Sequence, residues 1–278
     1  MRLYSVQQAS RTSRAVRPRA RSATPRRPWL LRLGLGMRLL LALVALFSHL
    51  AAAAPAVASA GRPGPGFAAL QARQFGFGIG LGESNDLLQG SASECPLAIF
   101  IFARGTTEPG NLGSLGPLIV NTLRRRLGAS KVWAQGVGGA YRAGFPENAM
   151  PLGTSPAAIN EMKRLLALAH SKCPRAQIVA GGYSQGSALA AAAVGQVRRS
   201  IRRTIAGVVL FGYTKNQQNR GRIPNFPPSR TKVYCNTGDM VCMGTLFIMP
   251  AHLQYQGIAS GPAGEWLLSK LHIDQGGD

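Results

Sequence analysis

The sequence predicts an α/β fold, a single domain with a mostly parallel central sheet and helices on both faces. Three observations predict it. Short apolar runs recur without polar alternation, the pattern of strands buried on two sides. Segments of helical periodicity fall between those runs. No internal repeat and no second hydrophobic pattern demands another domain, and 278 residues suit one large domain or two small ones.

Residues 98–102 (AIFIF) form the first apolar run, and Arg104-Gly105-Thr106 beyond it carries turn chemistry. A helix is expected over 118–127, with Pro117 at its first turn, where a missing N–H costs nothing. Residues 132–137 predict a strand. Residues 156–170 predict a helix, with Ser155 as N-cap and Pro156 in the first turn. A strand over 176–180 leads into an Ala-rich helix over 187–197. Strands over 205–211 and 232–235 and a last helix over 264–271 complete the series.

Apolar residues make up 46% of the chain and charged residues 15%, which supplies a sizeable core and excludes a wholly disordered chain. The 32 Lys and Arg against 10 Asp and Glu resemble a polyanion binder until the charges are located. Twelve of the basic residues precede Glu83, the first acid, and the remaining 20 against 10 leave +10. The densest arginine run precedes an apolar segment, so a nucleic-acid module is disfavoured and the basic remainder reads as a solvated face.

The N-terminus reads as an address. Ten arginines and no acid occupy residues 2–38, an apolar run covers 39–47, and small residues fill 51–60. That order describes a secretory signal peptide, with a mitochondrial transit peptide as its rival. The apolar run is shorter than the roughly 20 residues of a transmembrane span. The basic region is long, and Met37, directly before Arg38 and the apolar run, would open a signal of ordinary length. Residues 61–82 read as a flexible pro-segment, with Arg73-Gln74 as a second processing point. The glycines at 76, 78, 80 and 82 lack the strand and helix that a dinucleotide fingerprint needs.

Gly182-Tyr183-Ser184-Gln185-Gly186 fits G-x-S-x-G, with a strand entering and a helix leaving. That context is a nucleophile elbow, which lifts the serine hydroxyl to a helix N-terminus that favours negative charge. A serine nucleophile needs a base, and the base an orienting acid. After Ser184 stand the acids Asp239, Glu265, Asp274 and Asp278 and the histidines His252 and His272. Order alone permits Asp239–His252, Asp239–His272 and Glu265–His272. Asp239 in a Gly-containing turn after a strand and His252 in a loop after Pro250 are the preferred pair. His170 precedes the serine, and His272 is read as a helix-end residue that complements the dipole. Oxyanion donors are expected from Gln185 and from the loop after the first strand, where Thr106 offers an N–H and a hydroxyl.

Cys95, Cys173, Cys235 and Cys242 are an even count, which in a secreted chain suggests two disulfides among three possible pairings. No C-x-x-C occurs, so metal binding is not expected. Cys235 and Cys242 bracket Asp239, and a bridge there would hold the acid against His252. The other pair would tie the start of the folded part to the turn before the elbow strand.

From about Ala72 to Leu271 the chain resembles the fungal cutinases. The resemblance rests on residues 101–108 (IFARGTTE), 133–143 (WAQGVGGAYRA), 181–186 (GGYSQG), 210–225 (LFGYTKNQQNRGRIPN) and 235–242 (CNTGDMVC). It implies a small single-domain α/β-hydrolase with no lid and no cofactor. It implies Ser184 as nucleophile, His252 as base and Asp239 as orienting acid. It implies oxyanion donors at Thr106 and Gln185, support of Thr106 by Asn148, and disulfides Cys95–Cys173 and Cys235–Cys242. The expected substrate is cutin, the hydroxy-fatty-acid polyester, together with short-chain esters. Thr106 stands where the family often has Ser, and residues 247–251 (FIMPA) are bulkier than the family's small residues. Phe145, Tyr183, Leu246, Ile248 and Leu253 are the expected acyl-chain groove. The expected protein is a secreted monomer that meets a polyester or lipid-like ester at a surface, without stable membrane insertion. The rivals are an acetylxylan or short-chain carboxylesterase on the same fold and a secreted binding or elicitor protein.

Overall fold

The computed structural model of the protein describes residues 82–273. The signal, Met37, His49, the processing point at Arg73-Gln74, Asp274 and Asp278 lie outside the described residues. Gly82, placed in the pro-segment by the sequence, already belongs to the fold: its carbonyl accepts from the N–H of Asn111 at 3.0 Å and of Leu112 at 2.6 Å.

Five strands form one parallel sheet: β1 (Ala98–Ala103), β2 (Val132–Gly136), β3 (Gln177–Tyr183), β4 (Ile205–Phe211) and β5 (Thr231–Tyr234), in the order β2-β1-β3-β4-β5. The described helices are α1 (Asp86–Gln89), α2 (Gly116–Leu127), α3 (Pro156–Lys172), α4 (Gln185–Gln196), α5 (Arg199–Thr204), α6 (Gln256–Ala259) and α7 (Pro262–Leu268). Every residue of β1 is buried because successive side chains feed two different cores. Ile99, Ile101 and Ala103 face α3, α4 and α5 with Ile178, Ala180, Val208 and Leu210. Phe100 and Phe102 face α2, α6 and α7 with Val179, Val209 and Phe211. The unbroken apolar strands of the sequence are thus the signature of a sheet covered twice.

Several boundaries differ from the sequence expectation. β3 runs on through Tyr183, and α4 starts at Gln185, immediately after Ser184. β2 stops at Gly136, one residue early. The last helix starts at Pro262 and ends at Leu268, so His272 lies beyond it and is not a helix-end residue. Its backbone N–H instead donates to Gln177 Oε1 at 2.8 Å, at the start of β3. Ser155 caps α3 as expected, its hydroxyl accepting from the Ala158 N–H at 3.1 Å.

The strand order reverses between β1 and β3. In open parallel sheets the crevice at that switch point, outside the carboxyl ends of the strands, is where ligands bind. Thr106 follows β1 and Ser184 follows β3 there.

Candidate active site

Ser184 bridges β3 and α4 with φ +53° and ψ −118°, a conformation non-glycine residues rarely adopt. Its N–H donates to the Phe211 carbonyl at 2.9 Å, and the Ser187 hydroxyl donates to its carbonyl at 2.6 Å. The turn is tight because glycines stand two residues before and two residues after the serine. A Cβ on Gly186 would collide with the carbonyl oxygens of Ala103 and Arg104, so glycine lets the elbow press against the end of β1.

The Ser184 hydroxyl lies 2.9 Å from His252 Nε2. His252 Nδ1 lies 2.8 and 3.0 Å from the two oxygens of Asp239. A carboxylate only accepts, so Nδ1 carries the proton and Nε2 of the neutral ring accepts from the serine. His252 is 2% exposed and Asp239 3%, so this chain of bonds is shielded from water. Of the pairings that order permitted, the structure brings together Asp239 and His252. His272 and Glu265 take no part in it: His272 lies by the start of β3, and Glu265 is paired with Arg126 at 3.5 Å.

Several groups fix the acid. Its Oδ1 accepts from the Val241 N–H at 3.0 Å, and its Oδ2 accepts from the Tyr255 hydroxyl at 2.5 Å. Cys235 and Cys242 are bonded to each other, and the Cys242 sulfur lies 3.7 Å from Oδ2. Cys95 and Cys173 form the second disulfide. The Tyr183 hydroxyl donates to the His252 carbonyl at 2.8 Å, and the Asn236 amide donates to the carbonyls of Ala251 and Gln254, both at 2.9 Å. Burial raises the pKa of Tyr183 and Tyr255 far above the ordinary phenol value, and the Asp239 charge adds to the shift, so both remain hydrogen-bond donors.

On the other side, the Asn148 amide donates to Thr106 Oγ1 at 3.1 Å, and the Thr106 hydroxyl lies 3.5 Å from Asn148 Oδ1, so the two side chains hold each other. Gln185 opens α4, so its N–H has no partner within the helix. Its side chain donates to the Gly144 carbonyl at 2.6 Å and ties the elbow to the facing loop. The Thr106 loop is held by Glu108, whose carboxylate accepts from the N–H of Gly105 at 2.6 Å and of Ser114 at 3.1 Å.

A cavity of about 300 Å³ opens onto Ser184. Phe145, Tyr183, Leu246, Ile248 and Leu253 all line it, with Thr106, Asn148 and His252. Thr107, Thr214 and Val241 line it as well and were not anticipated. Neither were Tyr255, Glu108 as the loop's organiser, nor Gly212, over which His252 rests. Only Tyr255 had a sequence cue, its position three residues after the histidine. Among the described residues no cluster of His, Cys, Asp and Glu is placed to hold a metal ion.

The Cutinase family model matches residues 94–271. Cutinase 1 of Fusarium vanettenii is 56% identical over 192 residues, covering 69% of this chain and 84% of its own. A cutinase of Colletotrichum truncatum is 53% identical over 189 residues, covering 67% and 83%. Among solved structures, Trichoderma reesei cutinase in complex with a phosphonate inhibitor aligns at TM-score 0.60 and 29% identity, over 74% of this chain and 85% of that one.

Proposed function

The chain belongs to the cutinase family, and we propose on that footing how its residues carry out the reaction. The protein is a carboxylic ester hydrolase that cleaves the ester bonds of cutin. The observation that carries the reading is the unbroken chain of hydrogen bonds from Ser184 through His252 to Asp239.

Ser184 Oγ attacks the ester carbonyl while His252 Nε2 takes its proton. Asp239 stabilises the imidazolium that forms and holds the ring. The oxyanion is met by the N–H of Gln185 and by Thr106, through its N–H and its hydroxyl. His252 returns the proton to the departing alkoxide, and the alcohol leaves. Water, deprotonated by the same ring, then attacks the acyl-enzyme and releases the acid, restoring Ser184. Each group the reaction needs comes from one chain, which supports action as a monomer.

The groove accepts an acyl chain along Phe145, Leu246, Ile248 and Leu253. Phe145 is 72% exposed and Phe247 73%, so the mouth presents apolar side chains outward, as contact with a solid polyester or lipid surface requires. Among the described residues no helix is long and apolar enough to cross a membrane. The two disulfides and the N-terminal pattern support an extracellular place of action.

The test is hydrolysis of p-nitrophenyl esters from C2 to C16 and of cutin, by the parent and by Ser184→Ala. Monomer release from cutin is expected from the parent, and background rates from the variant with the fold retained. Near-normal turnover by Ser184→Ala would end the assignment of the nucleophile. Activity confined to C2 with cutin untouched would replace cutin by acetyl esters as the substrate.

A further inference from the structure

The molecule carries a second hollow, at the end away from the catalytic mouth. It is a cavity of about 510 Å³, lined by residues that precede β3, β4 and β5 and by residues that follow α7. All the strands are parallel, so the segments that enter them lie at the opposite end of the sheet from Thr106, Ser184 and Asp239. Arg175, Arg203, Arg230 and Lys270 line this cavity, and among the described residues no acidic side chain does. None of the four cations forms an ion pair with a carboxylate of the described residues. An adjoining hollow of about 470 Å³ shares Arg203 and Arg230 and adds Arg199 and Arg202. The two make one cationic track.

The track is built rather than a scatter of surface charge. Arg230 Nη1 donates to the carbonyls of Ile205 at 2.7 Å and Arg203 at 3.2 Å, and the guanidinium lies 4.9 Å from the Phe226 ring centre. Burial lowers the pKa of this cation, the direction expected where no counter-charge offsets lost water. Lys270 Nζ lies 4.9 Å from the Trp266 ring centre. The hydroxyls of Thr204 and Ser269, both on the cavity wall, donate inward to the carbonyls of Ile201 and Trp266 at 2.7 Å. Their oxygens keep lone pairs free to accept from outside.

These features discriminate among polyanions. A guanidinium fork pairs in plane with a carboxylate. Hydroxyl acceptors on the same wall as the cations match the hydroxyls of a sugar ring. Single-stranded nucleic acid calls for open aromatic faces on which bases stack, whereas Phe226 and Trp266 are each covered by a cation. An anionic membrane is recognised by cations next to apolar side chains that enter it. Among the described residues the apolar members of this wall are Pro174, Ala176 and Ala206, with the exposed Ile273 following His272, whereas the exposed run from Leu246 to Met249 belongs to the other end. We propose that the rear track binds a carboxylated polysaccharide, a polyuronate, and tethers the enzyme with its catalytic mouth facing away from the bound chain.

The test titrates the full chain at physiological ionic strength with polygalacturonate, a neutral galactan, oligothymidylate and phosphatidylserine vesicles. The site variant is Arg175→Gln/Arg203→Gln/Lys270→Gln. A control of equal charge change is Lys131→Gln/Arg220→Gln/Arg222→Gln, three exposed residues outside the track. Polygalacturonate is expected to bind the site variant at least tenfold more weakly than it binds the parent or the control. Galactan is expected not to bind. Hydrolysis of p-nitrophenyl butyrate is expected to be equal in all three proteins, so failure of the tether and failure of the esterase are told apart. Equal weakening in both triple variants, or galactan binding as tight as polygalacturonate, overturns the proposal. So does tighter binding of oligothymidylate or the vesicles through the same three residues.

Discussion

At Gly212 the backbone takes φ +52° and passes so close to His252 that a Cβ would lie 2.5 Å from its Cε1 and 2.7 Å from its Nδ1. The same Cβ would lie 3.1 Å from Asp239 Oδ2. No residue with a side chain fits between the end of β4 and the imidazole without moving the ring. Gly212→Ala is therefore expected to displace His252 from Ser184 and to lower kcat by about 10²-fold, the scale of a misplacement near 1 Å. KM should change less, because the groove residues are untouched. Steady-state kinetics with a soluble ester check this, and a variant with parental kcat would show that the ring tolerates the push. The glycine was inside a sequence block that resembles the family, yet its role was not legible. Only the packing of β4 beneath a loop some forty residues later reveals it.

The two disulfides act on different elements, which gives them separable effects. Cys95–Cys173 joins positions 78 residues apart and ties the entrance of β1 to the end of α3. Cys235–Cys242 spans 7 residues and touches the carboxylate of Asp239. Loop-closure entropy predicts about 4.5 kcal/mol from the first and about 2.5 kcal/mol from the second. Replacing each pair by serines should therefore lower the melting temperature more for Cys95–Cys173 and kcat more for Cys235–Cys242. The reverse ranking would remove the small loop from any part in positioning the acid. The elements that carry these cysteines were partly legible. β1, β3, β4, α2 and α3 follow from apolar period and proline placement. The helix α5 (RSIRRT) buries only Ile201 and carries three arginines, so no apolar period marks it. The turn that presents His252 is a single 3-10 turn, Pro250–Leu253, too short to show any period. Chain order and the preceding proline point to its histidine, and chain order alone leaves His272 in contention.

Across the molecule, four phenols are buried among the described residues. Burial pushes Tyr213 from 10.0 to about 12, and it raises Tyr141, Tyr183 and Tyr255 further. A raised pKa means that the folded state holds the phenol proton more tightly than the unfolded chain does. Their contribution to stability is thus present in full below pH 10 and is lost as the pH climbs from there through 12. Denaturant titrations between pH 8 and pH 12 should show unfolding free energy little affected by these groups up to about pH 10 and a steep fall above it. A fall complete by pH 9 would place the alkaline limit elsewhere. The tyrosines lie in both cores, so this limit belongs to the whole fold rather than to the site.

The positive φ of Ser184 puts durability and activity in conflict at one codon. Holding a non-glycine residue in that conformation costs on the order of 1–3 kcal/mol, which the surrounding packing sustains. Ser184→Gly releases the strain and deletes the nucleophile. It is expected to melt at a higher temperature than the parent while hydrolysing nothing, a result that calorimetry and an ester assay on the same sample would display. A variant library screened for heat resistance alone would thus drift toward inert proteins, and only a screen that also demands turnover would keep the serine in place.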